Sequence, residues 1–183
     1  MILAYNLVAQ DNGAFFFEKA PKSIFCPSCG CCLKDDYVPN ELEFFKRNYD
    51  LSFTYANRCI VSERFKIFCE NSQIQDVDFV LVDASKNIYF MKPLKQLAFD
   101  VRRRRTRFEN YCRECKQYEE VIGASPVFLK NVEQEIGNGV YRTDIEFGTG
   151  KAKSPSIIVG TNTKRLIEKE RFTGDPFFMA IKR

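Results

Sequence analysis

The chain has 183 residues, 45% of them hydrophobic, so it is long enough for one ordinary domain with a buried core. It contains 18 Phe and eight Tyr but no Trp and no His, which removes the commonest general base and any Cys–His or Ser–His nucleophile pair. The net charge of +4 permits an acidic partner without demanding one.

The N-terminal residues predict a strand, a turn and a second strand. Residues 3–9 alternate weakly and end at the turn signal Asp11-Asn12-Gly13, and residues 14–18 follow, so their three Phe residues are interpreted as sheet core. The start lacks the basic and long apolar regions of a signal peptide, and no stretch approaches the roughly 18 apolar residues of a membrane span. We therefore expect a cytoplasmic protein without membrane contact, whose thiols are reduced or bound to metal.

Two short cysteine pairs give the strongest chemical signal. The first pair is Cys26 and Cys29, with Gly30 directly after it, and the second is Cys112 and Cys115. Two intervening residues let both thiolates of one tight turn reach the same ion, and two such turns supply the four sulfurs of a closed tetrahedral site. The spacing predicts a structural zinc site at these four cysteines.

Other roles for the cysteines stay open at this stage. The paired cysteines can instead be core residues, disulfides, iron–sulfur ligands or a redox pair, although neither pair opens an apolar helix after a strand. The gap between the pairs exceeds that of compact zinc ribbons, so a whole structural unit must lie between them. Cys31 and Cys32 fit either alternate metal ligands or, as is more common for such extra thiols, small buried hydrophobic side chains. The sequence does not decide the roles of these two cysteines or of Cys59 and Cys69.

The residues between the two pairs predict short strands and one helix. Residues 41–49 fit a short helix and an irregular strand equally well. Ser62 is a good N-cap for a helix that runs to residue 70. The predicted strands are 51–55, 58–61, 76–82 and 88–91, the last two as a hairpin.

The segment Arg102–Arg107 carries the densest charge of the chain. We favour a solvated, twisted edge strand, in which repeated charge blocks aggregation, over a protein interface. A nucleic-acid surface comes third, because flanking aromatics such as Phe108 and Tyr111 can stack bases while guanidinium groups hold phosphates. The candidate partner-binding residues are Arg102, Arg103, Arg104, Arg105 and Arg107.

The C-terminal third repeats an earlier pattern. A strand at 140–144 and a flexible loop at 148–155 are followed by a strand at 157–159, a helix over 164–169 capped by Thr161 or Asn162, and a strand at 177–181. A gapless shift that places Val61 on Val159 also places Lys66 on Lys164 and Glu70 on Glu168. The pattern predicts two related strand–helix–strand units.

These elements predict an α+β fold with mostly antiparallel sheet, two strand–helix–strand units and a zinc-ribbon-like subdomain built from two distant CxxC knuckles. The predicted organisation is one compact domain over 1–183, with the subdomain from 22–34 and 99–129 and the units at 58–92 and 156–183. A closed four-thiolate site is structural rather than catalytic. The acidic pairs, Asp35 with Asp36 and Asp76 with Asp78, lack a supporting motif, so we expect no enzyme.

Three motifs resemble a known family. Cys26-Pro27-Ser28-Cys29-Gly30 together with Cys112-Arg113-Glu114-Cys115 resembles the bacterial double-CxxC proteins found beside polymorphic toxin genes, although Lys116 stands where a second glycine is expected. Ile60–Phe65 followed by Val77–Val80 looks like the strand, Ser-Glu-Arg helix and strand of those immunity-type proteins, and Thr173–Phe178 resembles their closing segment. The likeness covers most of the chain from residue 24 onward.

The resemblance implies a cytosolic protein that binds and neutralises a cognate secreted toxin. With a net charge of +4, the chain fits a neutral or acidic toxin better than a cationic one. The alternative is a zinc-ribbon protein that binds nucleic acid through Arg102–Arg107.

Overall fold

The computed structural model describes residues 1–34, 36–43 and 45–183 and is built mainly from antiparallel strands. The strands of these residues are β1 (Ile2–Val8), β2 (Leu51–Phe53), β3 (Cys59–Ser62), β4 (Val77–Asp83), β5 (Ile88–Pro93), β6 (Lys95–Leu97), β7 (Arg107–Tyr111), β8 (Tyr118–Ile122), β9 (Val140–Thr149), β10 (Ser154–Val159) and β11 (Phe177–Lys182). The α-helices are α1 (Glu63–Asn71), α2 (Val101–Arg104) and α3 (Thr161–Glu170). None of these helices is long and apolar enough to cross a membrane.

The strands form two sheets. The larger has the order β11-β1-β10-β9-β8-β7, and β6 pairs in parallel with β9 off this path. The smaller has the order β2-β3-β5-β4, with every pair antiparallel. Because β1 lies between β10 and β11, the first strand of the chain is held by the last two.

Three apolar clusters hold the sheets together. The first joins both sheets to α1 and α3, with Val61, Phe65 and Ile167 at its centre. Ile60, which precedes Val61 in β3, belongs to the second cluster. This cluster lies on the opposite face of the smaller sheet, as expected from the alternation of side chains along a strand. The third cluster contains Phe99 and includes Val121 of β8.

The predicted strand at residues 14–18 is wrong. Both edges of β1 are taken by strands from the far end of the chain, so no edge remains for a local hairpin. Phe15 lies in an isolated bridge with Glu43 and is 40% exposed. Phe16 and Phe17 are buried as core side chains in the second cluster, outside any strand.

The edge-strand interpretation of the arginine run is wrong for its first half. The Asp100 carboxylate accepts hydrogen bonds from the N–H groups of Arg102 and Arg103 at 3.1 and 3.0 Å, which caps the short helix α2. The helix ends at Arg105, whose φ of 58° is left-handed. The chain becomes extended only from Arg107 onward, in β7, which lies at the edge of the larger sheet among the described residues.

Most of the short predicted elements are confirmed. β2, β3, the β4–β5 hairpin, β10 and β11 lie where the patterns place them, and the Ser62 hydroxyl accepts from the Phe65 N–H at 3.3 Å as the predicted N-cap. The cap predicted for the C-terminal helix is wrong, because α3 follows Gly160 without a side-chain cap. Residues 41–43 and 45–49 form neither helix nor strand, and Phe44 lies outside the described residues.

Candidate metal centre

The two cysteine pairs meet at one point. The Sγ atoms of Cys26, Cys29, Cys112 and Cys115 all lie within 4.8 Å of one another. Cys26 and Cys112 are separated by 3.8 Å, and Cys29 and Cys115 by 3.5 Å. A tetrahedral ion with metal–sulfur bonds of about 2.3 Å needs sulfur–sulfur distances of about 3.8 Å. The four thiols, named the quartet below, therefore fit a single ion, and the prediction that they converge as a possible metal site is confirmed.

The chemistry of the quartet limits which ions can bind there. All eight cysteines are free thiols, and the sulfur–sulfur distances of 3.5 and 3.8 Å far exceed a disulfide bond of about 2.05 Å. Soft sulfur donors bind zinc or iron in preference to calcium or magnesium. An envelope of 4.8 Å suits one ion better than a multinuclear cluster, whose thiolates are spread around several irons.

The two cysteine turns share one backbone geometry. The Gly30 N–H donates to the Cys26 carbonyl at 2.8 Å, and the Lys116 N–H donates to the Cys112 carbonyl at 2.9 Å. In each turn the N–H of the first cysteine also donates to a carbonyl beyond the second, at 2.9 and 2.8 Å. Gly30 has a φ of 72° and Lys116 a φ of 58°, so both are left-handed. Lys116 therefore adopts the same left-handed conformation as Gly30, although its Cβ makes that conformation sterically less favourable.

This difference predicts opposite effects at the two turns. Lys116→Gly is expected to raise the free energy of unfolding by about 0.5 kcal/mol, because relief of the left-handed strain slightly exceeds the entropy that glycine adds to the unfolded chain. Gly30→Ala is expected to lower it by about 1 kcal/mol through backbone strain. A Cβ at Gly30 would meet nothing within 4 Å, so no clash contributes. Urea unfolding in the presence of zinc measures both changes.

Lys116→Ala is the matched control, because it removes the lysine side chain but keeps a left-handed residue with a Cβ. It is expected to unfold like the unmodified protein. If Lys116→Gly is no more stable than Lys116→Ala, backbone strain at this turn is not the reason for the difference.

Side chains tie the two turns to each other. Ser28 and Glu114 occupy the same position within their CxxC pairs and form a hydrogen bond across the site. The Gln117 amide donates to the Cys32 carbonyl at 3.0 Å. The first turn closes with a bridge between Phe25 and Cys32, and the second lies at the end of the β7–β8 hairpin, so each turn lies between two paired stretches of chain.

The two thiols of the second pair differ in pKa. The N–H of Cys115 donates to the Cys112 sulfur and lowers the pKa of that thiol to about 7. Loss of hydration is the largest influence on the Cys115 thiol, and its pKa rises to about 12. A thiol binds a metal ion as its thiolate, so an ion in the quartet would take the place of the thiol protons.

The remaining cysteines lie outside the quartet. Cys31 is buried beside it and its sulfur lies 3.6 Å from the Tyr118 carbonyl, whereas Cys32 is half-buried and contacts the Lys34 carbonyl at 3.3 Å. Cys59 and Cys69 are core side chains of the first apolar cluster, and burial raises the pKa of both thiols well above their usual range. Such thiols are chemically inert.

Most of the candidate arginines are exposed, namely Arg102, Arg103, Arg105 and Arg107. The Arg103 guanidinium nevertheless lies 4.1 Å from the Phe128 ring centroid, and the Arg104 Nε donates to the Ser125 carbonyl at 2.6 Å. Phe108 follows Arg107 in β7, and the Tyr118 ring contacts the rings of Phe108 and Tyr111, at centroid distances of 5.2 and 5.1 Å.

The predicted acidic pairs do not form a cluster among the described residues. Asp76 makes an ion pair with Lys95 at 2.9 Å. Asp78 is exposed, and its carboxylate accepts from the adjacent Phe79 N–H at 2.8 Å. Asp35 lies outside the described residues.

Sequence reasoning missed one buried carboxylate. Asp50 is 9% exposed and accepts hydrogen bonds from the Ser62 hydroxyl and the Arg64 guanidinium, both at 2.8 Å, and from the Thr173 N–H at 3.0 Å. Burial alone would raise its pKa, but the hydrogen bonds from Thr173 and Ser62 and the charge of Arg64 outweigh burial and lower it. Asp50 therefore joins the start of α1 to the segment before β11, although nothing in its own sequence context signals this role.

The region around Asp50 also leaves no room for a side chain at Gly174. A Cβ there would collide with the Leu51 carbonyl oxygen, and the glycine's φ is 98°. The Gly174 carbonyl accepts from the Gln10 N–H at 3.0 Å. The segment before β11 is therefore packed directly onto the backbone at Gln10 and Leu51.

Comparison with models of known protein families and with curated proteins finds no match to the chain. The fold and the site define a protein of mostly antiparallel sheet with four converging cysteines that can hold a metal ion.

Proposed function

We propose that the chain is a cytoplasmic binding protein of the immunity type, which neutralises a cognate bacterial toxin and is held together by a structural zinc ion. The observation that carries the proposal is the meeting of two resemblance motifs at Asp50. Ser62 and Arg64 come from the Ser-Glu-Arg motif and Thr173 from the closing motif, and all three bind the same carboxylate. Residues of two motifs that resemble the family therefore bind the same side chain. This is expected if both motifs are needed to form the fold of that family.

Zinc is the proposed occupant of the quartet. Four thiolates fill a tetrahedral zinc ion completely and leave no position for water or substrate, so the ion would stabilise the fold and perform no reaction. The ion would link residues 26 and 112, which are 86 positions apart in sequence. That link fixes the β7–β8 hairpin against the N-terminal loop.

The two strand–helix–strand units, 58–92 and 156–183, are part of the proposal as a repeated scaffold. Lys66 pairs with Glu70 at 2.9 Å in α1, and Lys164 pairs with Glu168 at 2.6 Å in α3. The Lys66 ammonium also lies 5.3 Å from the ring of Tyr89 on β5, and the Lys164 ammonium 5.2 Å from that of Tyr5 on β1. Each tyrosine is on the strand between the two strands of its unit, so the pairing of helix with sheet recurs.

The partner would bind away from the motif residues, because those residues hold the fold together. The exposed arginines of the 102–107 segment are the proposed contact with a neutral or acidic toxin surface. We expect the double change Arg102→Glu and Arg105→Glu to weaken toxin binding at least tenfold without changing thermal stability, since both side chains are exposed. Arg165→Glu with Lys169→Glu, which makes the same charge change on the exposed face of α3, is the matched control and is expected to bind normally.

The toxin proposal is tested by capture and rescue. The tagged chain is used to capture proteins from the native host, the captured protein is identified, and its gene is expressed in a different bacterium with and without this chain. Growth arrest that the chain relieves, and that the Arg102 and Arg105 double variant relieves poorly, supports the proposal. A captured protein that does not harm growth contradicts it.

One observation favours the alternative of a zinc-ribbon nucleic-acid binder. Phe108, Tyr111 and Tyr118 are exposed, and Phe108 directly follows Arg107 in sequence. Base stacking on aromatic rings, together with arginine, is a common mode of single-strand binding. A salt titration separates the two functions, because phosphate contacts lose affinity steeply with salt. Tight binding of a single-stranded oligonucleotide with that salt dependence would favour the alternative.

A further inference from the structure

Lys153 is a buried cation that contacts two residues just after the second cysteine turn. It is 6% exposed, and its ammonium donates to the Gln117 side-chain oxygen at 3.1 Å and to the Tyr118 carbonyl at 2.6 Å. Both acceptors are neutral. Among the described residues, no carboxylate lies within 4.0 Å of its Nζ atom.

This lysine contacts the residues that follow the second cysteine turn. The carbonyl of Gln117 accepts from the Cys112 N–H at 2.8 Å, and the carbonyl of Tyr118 also faces the Cys31 sulfur at 3.6 Å. The loop that carries the lysine reaches the first turn too, because a Cβ at Gly150 would lie 3.8 Å from the Cys29 carbonyl oxygen. The loop between β9 and β10 therefore touches both halves of the site.

A buried ammonium without an anionic partner is costly, and lysine is almost never fully buried unless it is paired. The carbonyl of Lys153 accepts from the guanidinium of Arg58 at 3.1 Å, which brings a second cation into the same region. The Glu120 carboxylate on β8 accepts from the exposed Thr149 hydroxyl at 3.3 Å. Among the described residues, the Lys153 ammonium therefore contacts neutral oxygens and no carboxylate.

We propose that Lys153 is a positioning residue whose charge compensates a metal-bound, fully deprotonated quartet. This inference rests on the proposed zinc site. A divalent ion with four thiolates carries a net charge of −2, whereas four neutral thiols carry none, so only the metal-bound form supplies the anion that the buried ammonium lacks. Lys153 also holds Gln117 and Tyr118 in place behind the second turn.

The test compares Lys153→Met with Lys151→Met. Methionine keeps most of the volume and removes the charge, and Lys151 is an exposed lysine of the same loop. The affinity for Zn²⁺ is measured by competition with a chelator of known affinity. We expect Lys153→Met to lose Zn²⁺ affinity about 10- to 100-fold, as for other residues that support metal ligands, and Lys151→Met to stay within twofold of the unmodified protein.

Urea unfolding of the metal-free, reduced chain separates compensation from simple hydrogen bonding. Without metal, Lys153→Met is expected to unfold at the same or a higher urea concentration, because it removes an uncompensated buried charge. If it is destabilised as much without metal as with zinc, Lys153 is only a hydrogen-bond donor and the proposal fails. Lys153→Arg keeps the charge and is expected to bind Zn²⁺ within a few-fold of the unmodified protein.

The two levels of the proposal fail differently. If the unmodified chain binds Zn²⁺ and Lys153→Met binds it equally well, the compensation proposal fails while the zinc site stands. If the unmodified chain binds no Zn²⁺ at all, the zinc site fails and the role of Lys153 fails with it.

Discussion

Replacement of Cys115 by serine is expected to abolish stoichiometric zinc binding and to cost about 4 kcal/mol of stability. The estimate follows from linkage, since an ion that binds only the folded chain contributes about 4 kcal/mol when its free concentration is about a thousand times its dissociation constant. A quartet built from two cysteine pairs that lie 86 positions apart has no counterpart in the unfolded chain, so the binding energy of the ion becomes folding energy. Metal analysis of the purified protein and urea unfolding measure the two effects.

Cys32→Ser is the control for this experiment. Cys32 lies next to the first turn, but its sulfur contacts the Lys34 carbonyl and is not part of the quartet. The control is expected to keep one zinc per chain and to unfold like the unmodified protein. A Cys115→Ser protein that retains full zinc and melts normally would show that the four cysteines do not share one ion. Iron in place of zinc would keep the site and change its occupant.

The quartet could be predicted from sequence because CxxC chemistry is local. Each turn brings its own two sulfurs together, and the number of thiolates specifies the class of ion. The supporting residues could not be predicted in this way. The roles of Lys153 and Asp50 depend on partners distant in the chain, such as Tyr118 and Thr173. A single lysine or aspartate has no sequence pattern that predicts burial.

The predicted fold succeeds where the signals are local and fails where distant strands compete. The Ser62 cap and the β4–β5 hairpin depend on neighbouring residues, and both are found. The hairpin expected at residues 14–18 does not form, because β1 pairs with β10 and β11 instead. In the arginine run, the carboxylate of Asp100 accepts hydrogen bonds from two N–H groups and caps the start of a helix. This cap is a local signal in the sequence, but the interpretation relied on the high charge density instead.

Asp50→Asn is expected to lower the free energy of unfolding by about 2–3 kcal/mol, the second large effect. Hydrogen bonds to a charged group contribute about 1.5–3 kcal/mol, and the amide keeps the size of the side chain but loses the charge opposite Arg64 and one of its two acceptor oxygens. Asp50→Ala is expected to cost more, about 3–5 kcal/mol, because buried donors are left without their partner. Asp78→Asn, at an exposed aspartate, is the control and is expected to change stability by less than about 0.5 kcal/mol.

The dependence of this difference on pH provides an independent check. The pKa of Asp50 is lowered in the folded chain, so its contribution to stability is complete above the unfolded value of about 3.9 and is lost as the pH falls through the folded pKa. The gap in unfolding free energy between the unmodified protein and Asp50→Asn is therefore expected to be constant from pH 5 to 7 and to narrow below about pH 4. A gap that stays equally wide in acid would mean that Asp50 acts through its shape and not through its charge. In that case the coupling between the start of α1 and the segment before β11 would be one of packing alone.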